Sequence, residues 1–228
     1  MPHVSIILAA AGLGVRMGGG VKKPYLLIKG KPIFQHSLEK FLDVKGVRET
    51  ILVVGPSELE DVRDKCKDKF AEYSIRVKIV PGGRRRQDSV YEALKHLEPQ
   101  TDIVLVHDAV RPIVSREMIE AVINRVEASG AAILAVPVTA TVKEVEGTER
   151  IIRTVNRDSL WIAQTPQGFK KDILLRAYDA LLEEDVEVTD DAQAVERLGH
   201  PVEIVPGSHT NIKITTPEDL VLAGALLR

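Results

Sequence analysis

The run Val4-Ser-Ile-Ile-Leu-Ala-Ala-Ala11 passes directly into Gly12-Leu-Gly-Val-Arg-Met-Gly-Gly-Gly-Val-Lys-Lys-Pro-Tyr25. Eight consecutive apolar or small residues that open on Val4 suit a strand covered on both faces, which is how strands of parallel sheets read. The side chains shrink to Ala9, Ala10 and Ala11 and then vanish at Gly12, where something approaches the backbone closely. Gly12, Gly14, Gly18, Gly19 and Gly20 free the backbone of the loop, and Arg16, Lys22 and Lys23 give it positive charge. Backbone N–H groups beside arginine and lysine suit a polyphosphate. A solvated connecting turn is the plain alternative, but a turn that only connects rarely carries five glycines and three cations.

Two common phosphate-loop patterns do not fit. A dinucleotide fingerprint needs a third glycine where Met17 stands, and the second strand ends Val53-Val54-Gly55 with no acidic residue for a ribose. A P-loop needs Gly-Lys followed by Ser or Thr; Gly30-Lys31 is followed by Pro32, and Tyr25 occupies the first glycine's position.

Beyond the loop, strands and helices alternate. Helices are predicted from Pro32 to about Asp43, from a Ser57-x-x-Glu60 capping box, through Ser89 to Leu97, and from Ser115 to Ala128 with Gly130 as the stop. Strands are predicted over Thr50–Val54, Ile75–Val80, Asp102–Val106 and Ala131–Val138. This alternation implies an α/β fold with a mostly parallel sheet, helices on both faces, and a ligand beyond the carboxyl ends of the strands. Residues 139–158 break the pattern. Thr141–Val145 and Ile151–Val155 flank Glu146-Gly147 and read as a protruding β-hairpin. Such a hairpin is marginal alone, so it is expected to pack on a second copy as a dimerisation arm within one domain spanning 1–228. Trp161 is expected in the core or in an interface. Asp172–Glu183 and Thr189–Gly199 read as helices, Val202–Val205 and Asn211–Ile214 as strands, and Thr216-Pro217 as the start of a last helix.

Unusual residues collect at the predicted strand ends. Gly82-Gly83-Arg84-Arg85-Arg86 runs into Asp88-Ser89, and arginines at a helix start oppose its dipole unless an anion is near. Gly83, Ser89 and at least one arginine are therefore ligand candidates. Asp108 and Arg111 either hold a hydroxyl-bearing or metal-associated ligand or form a local salt bridge, and His107 is expected to be packed or hydrogen-bonded. Lys213, in an apolar stretch, either snorkels outward or reaches into a site. Asp190 and Asp191 read as helix caps.

The net charge of −2 gives no whole-chain attraction to nucleic acid or an anionic membrane. No apolar run is long enough to span a bilayer. The chain enters its first strand directly after Met1-Pro2-His3, and the single Cys66 suits a reducing compartment, so a soluble, cytoplasmic protein is expected.

Seven motifs stand in order: Ala9-Ala-Ala-Gly-x-Gly-x-Arg-Met17 with Lys23, Gly82-Gly-x-x-Arg-x-Asp-Ser-Val90, His107-Asp-Ala-x-Arg-Pro112, Thr154-Val-x-Arg157, Trp161-x-x-x-Thr-Pro-Gln167, Thr189-Asp190 and Asn211-Ile-Lys213. Together they resemble the 2-C-methyl-D-erythritol 4-phosphate cytidylyltransferases over essentially the whole chain. The resemblance implies a Rossmann-like nucleotidyltransferase fold, a homodimer joined through the 139–158 arm, CTP as co-substrate and Mg2+. It implies that Arg16, Lys23, Arg157 and Lys213 are catalytic. It places Ala10, Ala11, Gly12, Gly14, Gly83, Arg84, Ser89, Asp108 and Ala109 around CTP. It assigns Asp108, Arg111, Thr141, Arg157, Thr165 and Lys213 to the acceptor. No direct metal ligand is assigned; Mg2+ would ride mainly on the CTP phosphates, with Asp108 nearby. Lys23 is chosen by its spacing to Arg16 and Tyr25, with Lys22 as competitor, because the family commonly reads Pro-Lys-Gln here. Two rivals stand beside this reading: a cytidylyltransferase for another polyol phosphate such as ribitol 5-phosphate, and a non-catalytic nucleotide-binding regulatory subunit.

Overall fold

A computed structural model of the protein describes residues 1–12, 22–147 and 149–227. Among these residues the central sheet has seven strands: β1 (Val4–Ala9), β4 (Val47–Val54), β5 (Arg76–Pro81), β6 (Ile103–Asp108), β7 (Ala131–Pro137), β10 (Trp161–Lys170) and β11 (Glu203–Pro206). Their spatial order is β11-β7-β10-β6-β1-β4-β5. Every neighbouring pair is parallel except the two that involve β10. Two short ribbons complete the strands: β2 (Leu27–Ile28) with β3 (Lys31–Pro32), and β8 (Val142–Glu146) with β9 (Arg150–Val155).

The apolar run at the N-terminus is covered on both sides, as its composition requires. Ile7 joins a cluster with the helices α3 (Arg86–Leu94), α5 (Lys171–Glu184) and α6 (Asp191–Arg197). Val4 and Ile6 face α4 (Arg116–Ser129), and Leu8 faces α1 (Ile33–Glu39) and Val62 of α2 (Leu59–Ala71). Successive residues of a strand point to opposite faces, so one buried strand serves both layers. The helix after β6 follows its sequence signals: Ser115 Oγ accepts from Met118 N–H, and Gly130 stops the helix at φ +89°.

The structure adds one strand and corrects two expectations. Residues 161–170 form the strand β10, which the sequence pattern hides. Pro166 would break a central ladder, but it falls in the gap between Ala163 and Gln167, where pairing with β7 is interrupted. No helix separates β7 from β10, only the hairpin arm, so the chain returns antiparallel. Asn211–Ile214 is no strand. Its backbone is held elsewhere, Asn211 N–H on Ser208 C=O and Ile214 N–H on Val110 C=O. Ser57 and Glu60 form no capping box. Ser57 Oγ donates to Glu58 instead, and α2 begins at Leu59 after a single 3-10 turn. Trp161, expected in the core or in an interface, is 43% exposed and so lies outside the core of the protomer.

The last helix, α7 (Pro217–Leu226), is capped as expected, with Asp219 N–H on Thr216 Oγ1. No helix among the described residues is long and apolar enough to cross a membrane.

Candidate active site

The chain runs from β1 to β4 and β5 on one side, then crosses back to β6 on the other. Such a reversal leaves a crevice between β1 and β6 at their carboxyl ends, the usual ligand position in open α/β sheets. Ala9 and Asp108, the last residues of these strands, are register partners. A cavity of about 200 Å³ opens there. Ala9 at the end of β1 and Ala11 and Gly12 just after it line the cavity, with Asp108 and Val110 from the end of β6 and its turn, and Arg86 and Ser89 from the start of α3. Lys23 and Pro24 close it from one side, Lys213, Ile214 and Thr215 from another.

Asp108 is the electrostatic centre. Arg86 Nε lies 3.5 Å from its Oδ1, while Lys213 Nζ at 3.0 Å and Arg111 Nε at 3.4 Å meet its Oδ2. Burial alone would push this carboxyl up, but Arg86, then Lys213 and Arg111, hold it well below the usual carboxylate range. Arg86 is shared with a second buried carboxylate, its Nη2 lying 2.7 Å from Asp191 Oδ2. Counting Lys23, four cations face two carboxylates here, which leaves a positive surplus at the cavity for an anionic ligand. A sequence model for 2-C-methyl-D-erythritol 4-phosphate cytidylyltransferase matches residues 4–228.

The chain belongs to that family.

A family member from Syntrophus aciditrophicus is 46% identical over all of this chain and 97% of its own length. A second, from Alkaliphilus oremlandii, is 42% identical over 98% of this chain and 94% of its own. Two solved cytidylyltransferase-family structures share the fold. The Anaerococcus prevotii 4-diphosphocytidyl-2C-methyl-D-erythritol synthase superposes with a TM-score of 0.86 at 35% identity, covering 99% of this chain and 96% of that one. The Thermus thermophilus 2-C-methyl-D-erythritol 4-phosphate cytidylyltransferase gives 0.81 at 34% identity, with 98% of each chain covered.

Of the residues that the family resemblance picks out, Ala11, Gly12, Lys23, Ser89, Asp108 and Lys213 line one cavity. Ala10 and Ala109 are buried behind it. Gly83 N–H donates to Ser89 Oγ at 3.1 Å, and a Cβ on Gly83 would lie 2.4 Å from that of Asp88. Arg84 is exposed and outside the lining; Arg86, two residues on, takes the inward position. Arg111 is buried, with Nη1 on Asn211 C=O at 2.8 Å. Thr141 and Arg157 are exposed on the arm and its base, apart from this cavity, and Arg157 donates to Thr139 C=O. Arg16 and Gly14 lie outside the described residues. Lys22 points away: its Nζ is 2.6 Å from Glu58 Oε2, and it lines a separate cavity with Tyr25 and Cys66. Arg86, Asp191 and Tyr178 were not singled out by the sequence. The motif Gly82-Gly-x-x-Arg86 contained the first, and the acid pair Asp190-Asp191 contained the second. Asp190 is a helix cap as expected, accepting from Gln193 N–H, whereas Asp191 turns inward.

The turn after β6 is fixed by one hydrogen-bond chain. His107 Nε2 faces the carbonyl of Arg111 at 3.0 Å, and a carbonyl only accepts, so Nε2 carries the proton. Nδ1 then accepts from Thr165 Oγ1 at 3.0 Å, and Thr165 Oγ1 accepts from Asp108 N–H at 3.0 Å. His107 is fully buried, and burial lowers its pKa from 6.5 to about 4. The unfolded chain takes up this proton first as acid is added. The stabilisation from neutral His107 is therefore complete above pH 6.5 and is lost as the pH falls toward about 4. This shift corresponds to about 3 kcal/mol. Urea unfolding followed from about pH 7 to about pH 4 should register that loss, and His107→Gln should flatten the slope.

Among the described residues no group of three His, Cys, Asp or Glu gathers to hold a metal. Asp108 is the single carboxylate that the described residues contribute to the cavity lining.

Proposed function

We propose that the protein transfers CMP from CTP to 2-C-methyl-D-erythritol 4-phosphate, giving 4-diphosphocytidyl-2-C-methyl-D-erythritol and pyrophosphate, for isoprenoid precursor synthesis. The full-length family match carries the reading, and the cation-rich cavity at the switch point supplies a matching chemistry. An oxygen of the acceptor phosphate forms a bond to the α-phosphorus as the bond from that phosphorus to the β-phosphate oxygen breaks, and pyrophosphate leaves. Two anions must meet, so catalysis consists mainly of positioning and charge compensation.

Lys23, with Arg16 as its companion in the loop, compensates charge on the α-phosphoryl group. Gly12 and the alanine backbone leave room for the triphosphate, and Gly83 and Ser89 frame the base. Asp108, held ionised, accepts from ribose or acceptor hydroxyls. Lys213 and Arg111 then offset acceptor phosphate charge. Thr165 supports the acceptor side through Asp108, because its hydroxyl is already committed to Asp108 and His107. A lone carboxylate fits Mg2+ carried on the triphosphate better than a protein-built cage, and the ion would add compensation at the phosphates.

We further infer a homodimer in which the 139–158 arm of the single 1–228 domain crosses to the partner, bringing Thr141 and Arg157 to the partner's acceptor pocket. Val145, Ile151, Ile152, Trp161 and Ile162 are all exposed large apolar residues on or beside the arm. A cytoplasmic setting is consistent with the free Cys66.

The decisive measurement is pyrophosphate release across a grid of nucleotides and polyol phosphates. The reading expects CTP with methylerythritol phosphate to give the fastest release. Preference for ribitol 5-phosphate would redirect the assignment, and CTP binding without release on any acceptor would make the chain a regulatory subunit. A second prediction concerns Gly82. A Cβ there would lie 2.3 Å from Ala11 Cβ and 2.7 Å from Ser89 Oγ. Gly82→Ala should therefore force both nucleotide-facing walls to move and raise KM for CTP about tenfold or more in a nucleotide titration.

A further inference from the structure

Tyr178 is an unusual resident of an apolar core. It lies on α5, 2% exposed, among Val90, Ala93, Leu174 and Leu181, with its ring stacked against Tyr91 at 6.5 Å between centroids. A phenol buried this deeply needs a partner for its hydroxyl. The partner is Asp191 Oδ1, at 2.5 Å. The other carboxylate oxygen of Asp191 accepts from Arg86 Nη2 at 2.7 Å. Arg86 in turn approaches Asp108 and lines the nucleotide cavity. The backbone N–H groups of Asp191 and Ala192 both donate to Gln167 Oε1 at 3.0 Å, so the main chain at this point is fixed as well.

The terminal torsion of an aspartate is soft, and a single contact to an arginine would leave the carboxylate free to turn. Two directional bonds, one on each oxygen, remove that freedom. A buried carboxylate also needs more than its ion partner to satisfy its lone pairs. We propose that Tyr178 is a positioning residue for the nucleotide. Its hydroxyl holds Asp191, Asp191 holds one end of the Arg86 guanidinium, and the remaining N–H groups of Arg86 are thereby presented to the cavity as donors for nucleotide oxygens. Pre-setting Arg86 lowers the ordering cost when CTP binds. This inference rests on the CTP-binding reading above.

Tyr178→Phe removes the hydroxyl and keeps the ring. Calorimetric Kd and KM for CTP should both rise about five- to tenfold, with kcat and the acceptor KM changed less than about twofold. A merely structural hydroxyl would lower the unfolding temperature and leave this split absent. Asp191→Asn should weaken CTP binding by itself, and adding Tyr178→Phe to it should cost nothing further. Additive losses, or an unchanged CTP affinity in Tyr178→Phe, would overturn the proposal. A fluorine label tests it without turnover and without the risk of a misfolded Phe variant: the resonance of 3-fluorotyrosine at position 178 should move when Arg86 is changed to lysine. A stationary resonance rejects the relay, whereas failure of the unaltered protein to bind CTP rejects only the functional reading.

Discussion

Lys23→Ala is expected to lower turnover with CTP about 10³-fold, whereas Lys22→Ala should cost less than about threefold. The two lysines are adjacent in sequence but diverge in space. Lys23 opens a single 3-10 turn and lines the cavity beside Gly12 and Asp108. Lys22 is committed to Glu58 at 2.6 Å, with both side chains about one-fifth exposed, at 19% and 22%. A pair of that exposure contributes at most about 1 kcal/mol to stability. The Lys22 variant should therefore shift the denaturation midpoint slightly and leave kcat nearly intact. For Lys23 the argument is electrostatic. A pre-placed cation at developing phosphoryl charge stabilises the transition state more than the ground state, so its removal falls on kcat. Single-turnover pyrophosphate release measures this directly, and comparable losses for the two variants would undo the assignment to Lys23.

Much of the fold was legible because the sheet is buried on both faces. β1, β4 and β6 carry long apolar runs that survive any local ambiguity, and Gly130 marks a helix end unmistakably. β10 was not legible, because its middle carries Gln164, Thr165, Pro166 and Gln167, which interrupt the apolar pattern of a buried strand. These polar side chains are buried yet occupied: Gln167 caps α6, Gln164 Nε2 donates to Ser208 C=O, and Thr165 supports Asp108. Only tertiary partners make such a strand tolerable. Asn211–Ile214 failed in the opposite direction. Its residues suit a strand, but Ile214 N–H donates to Val110 C=O and Asn211 C=O accepts from Arg111, both in the turn after β6, and Lys213 comes to lie 3.0 Å from Asp108.

The site was legible to the level of the motif, not the rotamer. Three consecutive arginines precede Gln87, and nothing in their order says which one turns inward. The phase of α3 decides it. The helix starts at Arg86, Arg85 is drawn to Asp88 with its N–H on Oδ2 at 2.9 Å, and Arg84 is left in solvent. Asp191 was hidden for a similar reason, since an acid in a first turn already has a sufficient explanation in the helix dipole. Its inward role depends on Tyr178 and Arg86, from helices far apart in sequence.

Mixing two inactive variants should restore activity. If the arm crosses to the partner, a complete site takes Lys23 from one protomer and Arg157 from the other. Lys23→Ala and Arg157→Ala homodimers should each be nearly inactive. After unfolding and refolding of an equal mixture, half of the dimers are mixed and each has one intact site, so about a quarter of the unaltered activity should return. The arm's geometry supports this arrangement. Its two strands are tied by Glu144–Arg153 at 2.5 Å and Lys143–Thr154 at 2.7 Å, but Val145, Ile151 and Ile152 remain 49%, 57% and 57% exposed. Burying each of Val145, Ile151 and Ile152 would contribute on the order of 1 kcal/mol or more, which a solitary hairpin lacks. Ile152→Asp should accordingly give monomers by light scattering and lose activity together with the dimer. If that variant is monomeric yet fully active, or the mixture stays at the level of its components, then Arg157 serves its own protomer and the arm is no part of the site.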